Sequence, residues 1–265
     1  LEVKNVRRTY LHPRVSPFAS AKYFTAVSNV SFSINNGDKI GLVGESGCGK
    51  STLARMILGL DPVEKGEILL NGLNVRNTKA DLRRNIQIVF QDPYGSFNPR
   101  HNIARLIREP YHLLSNRPSL KEINESIELI LREVGLNGSD KTKYIHEFSG
   151  GQRQRIAIAR ALITKPEFVI FDEAVSALDV TVRAQILDLI SQLAEEYGLS
   201  YLFISHDLYV VRSITKKCLV MKNGKIIESG LTAEILDNPK NEYTKNLINA
   251  APKPLNFNKG IVPYA

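Results

Sequence analysis

The chain has 265 residues, 43% of them hydrophobic, which is enough to bury a substantial core in one large or two small domains. Its formal net charge is +8 at pH 7, but the basic residues are spread along the chain without interleaved aromatics, which disfavours a single-strand nucleic-acid binder. There is no apolar run near the roughly 20 residues of a membrane span, no signal pattern at the start and only two cysteines, so we expect a cytosolic protein.

The first predicted elements are short antiparallel strands. Residues 1–6 and 27–34 alternate apolar and polar side chains, as half-buried strands do, and flank a loop containing Pro13 and Pro17. Residues 66–72 predict another short strand closed by a turn. Together these patterns predict a small antiparallel β layer ahead of the main sheet.

A glycine-rich segment follows the apolar run 40–43 and precedes a helical pattern. Its glycines let successive backbone N–H groups turn toward one anion, Lys50 adds positive charge for the outer phosphates, and Ser51 offers a hydroxyl to Mg²⁺. The next helix directs its positive end at the same anion. A turn that binds nothing would explain the glycines but not Lys50 and Ser51 at this offset. We predict a nucleotide phosphate site formed by Gly44, Glu45, Ser46, Gly47, Cys48, Gly49, Lys50, Ser51 and Thr52.

A helical block is predicted after a strand at 86–90. Between about residues 102 and 145 the apolar side chains recur at helical spacing, as at Ile123, Ile127, Ile130, Leu131 and Val134. We interpret this segment as an insertion of helices into the sheet domain.

Two continuous apolar runs, 168–171 and 201–204, flank a helical pattern at 181–197, as buried parallel strands joined by a crossover do. The first run ends in Asp172 and Glu173, at the end of the strand where parallel sheets bind ligands. An aspartate there can hold the magnesium of a nucleotide, and a neighbouring glutamate can orient or deprotonate the attacking water. The alternative is a strand that merely ends in polar residues.

A second anion-receptive helix start is predicted at Ser149, Gly150, Gly151 and Gln152, because a serine and exposed backbone N–H groups precede a helical pattern. Together with Phe148, this segment resembles the signature sequence of ATP-binding-cassette (ABC) ATPases. The order of the other motifs is similar to that family as well. Gln91 resembles its Q-loop glutamine, Asp179 its D-loop aspartate and His206 its switch histidine.

The family's adenine-stacking aromatic is expected at Tyr10. Tyr23 and Phe24, across the same loop, are open alternatives.

The resemblance implies that two cassettes face each other head to tail over each ATP. The signature residues of one cassette would meet the phosphate loop of the other, and Asp179 would contact the nucleotide. The implied Mg²⁺ ligands are Ser51, Gln91 and Asp172, and the implied catalytic residues are Glu173, His206 and Lys50. Because phosphoryl transfer depends on positioning and charge stabilisation, such a split site works only when the cassettes close.

The implied fold class is α/β: a P-loop ABC ATPase cassette with a RecA-like core sheet, an N-terminal antiparallel β layer and an inserted helical subdomain at about 92–158. We expect the cassette to span residues 1–235 and a C-terminal extension to span 236–265. The last stretch, 250–265, carries three prolines and predicts an extended tail.

Three segments, 90–100, 172–180 and 242–252, are most similar to the ATP-binding subunits of bacterial oligopeptide, dipeptide and nickel importers. This resemblance implies a second ABC ATPase subunit, identical or related, and transmembrane permease subunits received by residues 92–147. An extracytoplasmic solute-binding protein would act indirectly, and the chain would sit at the cytoplasmic face of the inner membrane. Phe148 and Ala174 replace the leucine and proline usual in cassettes.

Two other functions compete with transport. An ABC-type ATPase acting on nucleic acid or ribosomes would usually carry a long coiled coil or a charged linker, and neither pattern is visible. A regulatory protein that binds ATP without hydrolysing it is disfavoured by the presence of both Glu173 and His206.

Cys48 lies at a helix start, where a thiolate is favoured, so we expect its pKa to be lowered. We expect alkylation of Cys48 to block ATP binding through bulk, and Cys218 to lie in the core.

Overall fold

A computed structural model describes residues 1–11, 23–76 and 84–251 of the chain. These residues form two units, a first unit of residues 1–76 and 204–249 and a second unit that consists mainly of residues 84–203. The predicted loop with Pro13 and Pro17 and the tail beyond residue 251 lie outside the described residues. The predicted helical subdomain falls within the second unit, and the limits of 1–235 and 236–265 stay predictions.

The described elements follow one another as strands, then helices, then alternating strands and helices. In chain order they are β1 (Glu2–Leu11), β2 (Tyr23–Ser33), β3 (Lys39–Val43), α1 (Lys50–Ile57), β4 (Lys65–Leu70), β5 (Leu73–Asn74), β6 (Ile86–Val89), α2 (Ile103–Ile107), α3 (Leu120–Glu133), α4 (Gly150–Leu162), β7 (Phe168–Asp172), α5 (Val180–Glu196), β8 (Ser200–Ser205), α6 (Leu208–Ile214), β9 (Lys217–Lys222), β10 (Lys225–Leu231), α7 (Thr232–Asp237) and α8 (Glu242–Ala250). Every described helix is too short or too polar to span a bilayer.

The first unit contains the predicted antiparallel layer, a sheet in the order β2-β1-β4-β5. Its strands pair antiparallel, with Tyr10 opposite Phe24. Val3 and Val6 of β1 are both buried although they are three residues apart, because the register with β2 shifts between them, as at a β-bulge, and Asn5 has a φ of 49°. In the same unit β3 pairs parallel with β9, and β9 pairs antiparallel with β10.

In the second unit β6 pairs parallel with β7, with Ile86 opposite Phe168, and the other predicted apolar run forms β8, which neighbours β7. Phe171 packs edge-on against Tyr201 of β8, with 5.7 Å between ring centroids. The helical block is broken into α2, α3 and short 3₁₀ turns; Pro110 lies at the start of the turn Glu109–Leu113. Proline interrupts a helix because it lacks an N–H, so the block is several helices.

The longest helix of the block, α3, confirms the predicted spacing. Ser119 caps it in a capping box with Glu122, and four of the apolar side chains are buried: Ile123, Ile127, Ile130 and Leu131.

Candidate active site

The glycine-rich loop between β3 and α1 needs its glycines for two reasons. Gly44, Gly47 and Gly49 have φ angles of 153°, 79° and 112°, which side chains with a Cβ rarely adopt. A Cβ on Gly44 would lie 2.2 Å from the carbonyl oxygen of Met221, and one on Gly49 would lie 2.2 Å from that of Ala26. At Gly47 a Cβ would meet nothing within 4 Å. The loop is pressed against neighbouring strands on one side and open at Gly47, which fits close approach of a phosphate chain.

Lys50 is held inside this loop. Its side chain is buried, and Nζ donates to the carbonyl oxygens of Gly44 at 2.7 Å and Glu45 at 2.9 Å. The sulfur of Cys48 lies 3.9 Å from Nζ and is a weak acceptor. Two carbonyls therefore hold the ammonium, and among the described residues its third partner, the Cys48 sulfur, is a weak acceptor that a phosphate oxygen can replace.

The first turn of α1 completes this anion-binding end. Ser51 is exposed and Thr52 is buried, and the turn contains no acidic residue that would repel an anion.

The prediction of a low pKa for Cys48 is wrong. The side chain is only 8% exposed, and burial raises the pKa of the thiol more than the nearby Lys50 ammonium lowers it. The helix-start rule fails here because burial of the side chain disfavours the charged thiolate. Cys218 is buried in β9 as predicted, and burial raises its pKa to about 12.

Asp172 ends β7, and Glu173 follows it in a tight turn; both are half-buried. Glu173 has a φ of 50°, in the left-handed region, which is uncommon for residues other than glycine. The backbone N–H and the hydroxyl of Ser176 both donate to the Glu173 carbonyl oxygen, at 3.1 and 2.9 Å. Such locally held backbone conformations cluster at active sites.

The structure links three predicted motifs through Ser176. The side-chain amide of Gln91 donates to the Ser176 hydroxyl at 3.3 Å, and Ser176 donates to the Glu173 carbonyl. Asp179 has a local role as well, because its carboxylate accepts from the N–H of Val182 at 3.0 Å and caps α5.

Ser149 caps α4 in a capping box: its hydroxyl accepts from the N–H of Gln152, and the Gln152 side chain accepts from the N–H of Ser149. A hydroxyl that accepts one hydrogen bond keeps its own proton to donate to an anion. Ser149 and Gly150 are exposed. A Cβ on Gly151 would lie 2.5 Å from Cγ1 of Val182, so this glycine also permits the packing of α4 against α5.

Arginines of α4, which sequence reasoning missed, hold the segment after Gln91. The guanidinium of Arg160 donates to the carbonyl and hydroxyl oxygens of Ser96 and lies 4.4 Å from the ring centroid of Phe97. That of Arg153 lies 4.9 Å from the Tyr94 ring centroid. The sequence pattern placed these arginines on a helix, but it carried no signal for the residues that they contact.

A pocket of about 320 Å³ lies beside these contacts. It is lined by residues 91–94, by part of α4 and by the segment after β7, with Gly150, Arg153, Gln154, Ala174, Ala177 and Leu178.

His206 is exposed and directly follows β8, in the segment from residue 204 that belongs to the first unit. Its neighbours hold the turn: the Ser205 hydroxyl accepts from the N–H of Asp207 at 2.9 Å, and the Asp207 carboxylate caps α6. The histidine is therefore presented by a fixed backbone.

Tyr10 is partly committed to neighbouring side chains. Its hydroxyl donates to the carboxylate of Asp61 at 2.5 Å, and the guanidinium of Arg8 lies 4.6 Å from its ring centroid. Tyr23 and Phe24 are 72% and 46% exposed. Which of these aromatics stacks on adenine stays a prediction.

Sequence reasoning also missed Tyr243, whose hydroxyl accepts from the N–H of Glu45 in the phosphate loop at 3.1 Å. The first unit thus holds the phosphate loop, Tyr10, His206 and Tyr243, and the second holds Gln91, Asp172, Glu173, Asp179 and residues 149–152. The ligand roles of these residues stay predictions.

A family model described as ABC transporter matches residues 27–176, more than half of the chain. This chain belongs to the ABC transporter family. It is 44% identical over 259 residues to the oligopeptide transport ATP-binding protein OppF of Bacillus subtilis (strain 168), which covers 96% of this chain and 83% of that protein. It is 47% identical over 240 residues to the dipeptide transport ATP-binding protein DppF of Haemophilus influenzae, covering 89% and 73%.

A solved structure of the ATP-binding cassette MJ0796, a dimer in a post-hydrolysis state bound to ADP and Pi, has a similar fold. The TM-score is 0.74 at 26% identity, covering 87% of this chain and 98% of that one. The predicted family, α/β cassette fold, ATPase class and peptide-importer branch are confirmed by these relatives. They give no support to the nucleic-acid alternative.

Proposed function

We propose that this ABC ATPase uses Mg-ATP to drive the import of oligopeptides or dipeptides across a membrane. The observation that carries the proposal is the loop of residues 44–51, in which buried Lys50 is aimed by two backbone carbonyls beside the open face at Gly47. The names of the peptide-transport relatives support the cargo class.

The loop binds the phosphate chain of ATP. Lys50 and the N–H groups at the start of α1 supply positive charge where the outer phosphates carry negative charge. Because the loop is already held by its contacts to β2 and β9, little rearrangement is needed on binding.

The donor set fits Mg²⁺, a hard cation that prefers a hydroxyl or a few carboxylate and amide oxygens together with substrate phosphates. Ser51, Gln91 and Asp172 would hold it; Ser51 and Gln91 are exposed and Asp172 is half-buried. When bound, Mg²⁺ neutralises charge on the phosphate oxygens.

Glu173 acts as the base. It takes a proton from the attacking water as the water oxygen bonds to the γ-phosphorus and the bond to the β,γ-bridging oxygen breaks, which yields ADP and phosphate. His206, presented at the end of β8, contacts the γ-phosphate and helps to distinguish ATP from ADP.

A second ABC ATPase subunit, identical or related, completes the site with its own signature segment. The support in this chain is that Ser149 and Gly150 are exposed and that the Ser149 hydroxyl keeps a proton to donate. Permease subunits dock on residues 92–147, and Asp92, Pro93 and Tyr94 at the start of this segment line the pocket described above. Docking holds the chain at the cytoplasmic face of the membrane. An extracytoplasmic solute-binding protein delivers the peptide to the permease.

Mg-ATP titration of the purified chain tests the nucleotide part of the proposal. Lys50→Ala should weaken binding about tenfold or more, because it removes a charged hydrogen-bond donor. Lys65→Ala, which removes an exposed lysine of β4, is the matched control and should bind like the wild type. Equal affinity of all three proteins would reject the assignment of Lys50.

Uptake of labelled dipeptides and oligopeptides by cells with and without this chain tests the cargo class. Peptide uptake should require the chain and should be lost in cells carrying Lys50→Ala. Unchanged peptide uptake in cells that lack the chain would contradict the peptide assignment while leaving ATP binding intact.

A further inference from the structure

The C-terminal helix α8 reaches the phosphate loop through one side chain. Tyr243, in its first turn, is 8% exposed, and its hydroxyl oxygen lies 3.1 Å from the backbone nitrogen of Glu45, which donates to it. The ammonium of Lys222 lies 4.5 Å from the Tyr243 ring centroid. The ring is therefore enclosed and stacked by a cation, and the hydroxyl meets the loop.

The first turn of α8 is itself anchored. The side chain of Asn241 accepts from the N–H of Tyr243 at 2.9 Å. The Glu228 carboxylate on β10 accepts from the N–H groups of Lys240 and Asn241, at 2.8 and 3.2 Å. These contacts fix the position of the Tyr243 hydroxyl relative to the strands that support the loop.

The backbone N–H that donates a hydrogen bond to Tyr243 and the carbonyl that accepts one from Lys50 belong to the same peptide group. The peptide unit between Gly44 and Glu45 is planar, so its N–H and C=O turn together. Its N–H donates to Tyr243, and its C=O accepts from Lys50 Nζ at 2.7 Å. Tyr243 thus opposes rotation of the group that aims the phosphate-binding ammonium.

We propose that Tyr243 is a positioning residue for nucleotide binding, which acts on Lys50 through the Gly44–Glu45 peptide group and makes α8 part of the nucleotide-binding machinery. The inference rests on the proposed function, since it concerns the same phosphate loop. Burial keeps the hydroxyl neutral by raising the pKa of Tyr243, so it remains a hydrogen-bonding group across the physiological range.

Because coupling between two events is reciprocal, nucleotide binding should in turn stabilise α8. A partner that displaces this helix would then weaken ATP binding.

Tyr243→Phe isolates the hydroxyl, because the ring and its contact with Lys222 remain. Tyr111→Phe is the matched control: Tyr111 is also 8% exposed, and its hydroxyl donates to the backbone carbonyl of Ile163 at 3.3 Å, in the second unit. Both variants lose one buried hydroxyl bonded to the backbone, and we expect similar melting temperatures. Tyr243→Phe should weaken Mg-ATP binding by about fivefold, whereas Tyr111→Phe should bind within about twofold of the wild type.

Hydrogen exchange supplies a second readout. The Glu45 amide should exchange faster in Tyr243→Phe than in the wild type without nucleotide, and Mg-ATP should protect α8 in the wild type more than in the variant. Wild-type affinity together with an unchanged Glu45 exchange rate in Tyr243→Phe would overturn the inference alone. A wild-type chain that binds no Mg-ATP would overturn the proposed function and this inference with it.

Discussion

The side-chain amide of Gln91 donates a hydrogen bond to the hydroxyl of Ser176, with 3.3 Å between Nε2 and Oγ. The same hydroxyl donates to the carbonyl of Glu173, whose φ of 50° needs local support. One serine therefore joins the start of the helical block to the backbone of the proposed base. We expect a displacement of Gln91 to change the backbone position of Glu173 through these two hydrogen bonds.

Ser176→Ala should lower the ATPase rate about fivefold and leave Mg-ATP affinity within about twofold, because it removes two hydrogen bonds near the base but no phosphate contact. Steady-state phosphate release and a binding titration measure the two quantities. Ser126→Ala is the matched control, since the Ser126 hydroxyl also donates to a backbone carbonyl, that of Glu122, on α3. A wild-type rate in Ser176→Ala would show that this link does not position Glu173.

Glu173→Gln should reduce ATP hydrolysis by about 10²- to 10⁴-fold, the range typical of a general base, with ATP binding retained. The glutamine keeps the size of the side chain but cannot accept the proton. The variant should therefore accumulate an ATP-bound dimer with its partner cassette, detectable by light scattering.

Glu125→Gln on the exposed face of α3 is the control for Glu173→Gln, because it also removes one carboxylate but at a position far along the chain from Asp172 and Glu173. Rapid turnover by Glu173→Gln would transfer the role of base to another group.

The elements that follow from local patterns were predictable. Alternation identified β1 and β2, continuous apolar runs identified β7 and β8, and the loop of residues 44–51 was complete because its functional groups are contiguous. The breaks in the helical block were less clear, since Pro110 and Pro118 interrupt a segment whose apolar side chains otherwise keep the helical period.

The contacts that hold the site were not predictable. Glu45 and Tyr243 are 198 residues apart, and Gln91 and Ser176 are 85 apart, so no spacing rule relates them. Cys48 shows a second reason why the sequence did not predict the site fully. The helix-start rule considers charge alone, but burial, which depends on the fold, decided the direction of the Cys48 pKa shift.

Tyr10→Ala should weaken ATP binding by about tenfold or more while inorganic triphosphate binding changes little, because stacking acts on the base alone. Tyr10→Phe is the control: it loses the hydrogen bond to Asp61 but keeps the ring and its contact with Arg8. Equal losses for ATP and triphosphate in Tyr10→Ala would exclude stacking there. Tyr23→Ala and Phe24→Ala would then be measured in the same titration, since both rings are exposed.

Alkylation of Cys48 should be slow at pH 7 and should accelerate about tenfold per pH unit, since only the thiolate reacts. Burial raises the pKa of this thiol, so the reactive fraction at neutral pH is smaller than for an exposed cysteine and the rate should still be rising at pH 9. Mass spectrometry of labelled peptides from pH 7 to 10 measures this profile. Mg-ATP should slow the labelling, and the labelled fraction should lose ATP binding, because the sulfur lies beside Lys50 Nζ.

Cys218 provides an internal control in the same sample, because it is fully buried and should be labelled only in denaturant. Labelling of both cysteines at equal rates would indicate unfolding rather than access to the phosphate loop. A Cys48 rate that levels off below pH 8.5 would contradict the raised pKa, since the profile of a thiol flattens once its thiolate predominates. Full ATPase activity after complete labelling of Cys48 would instead show that the loop accommodates the added bulk, which the 8% exposure of that side chain argues against.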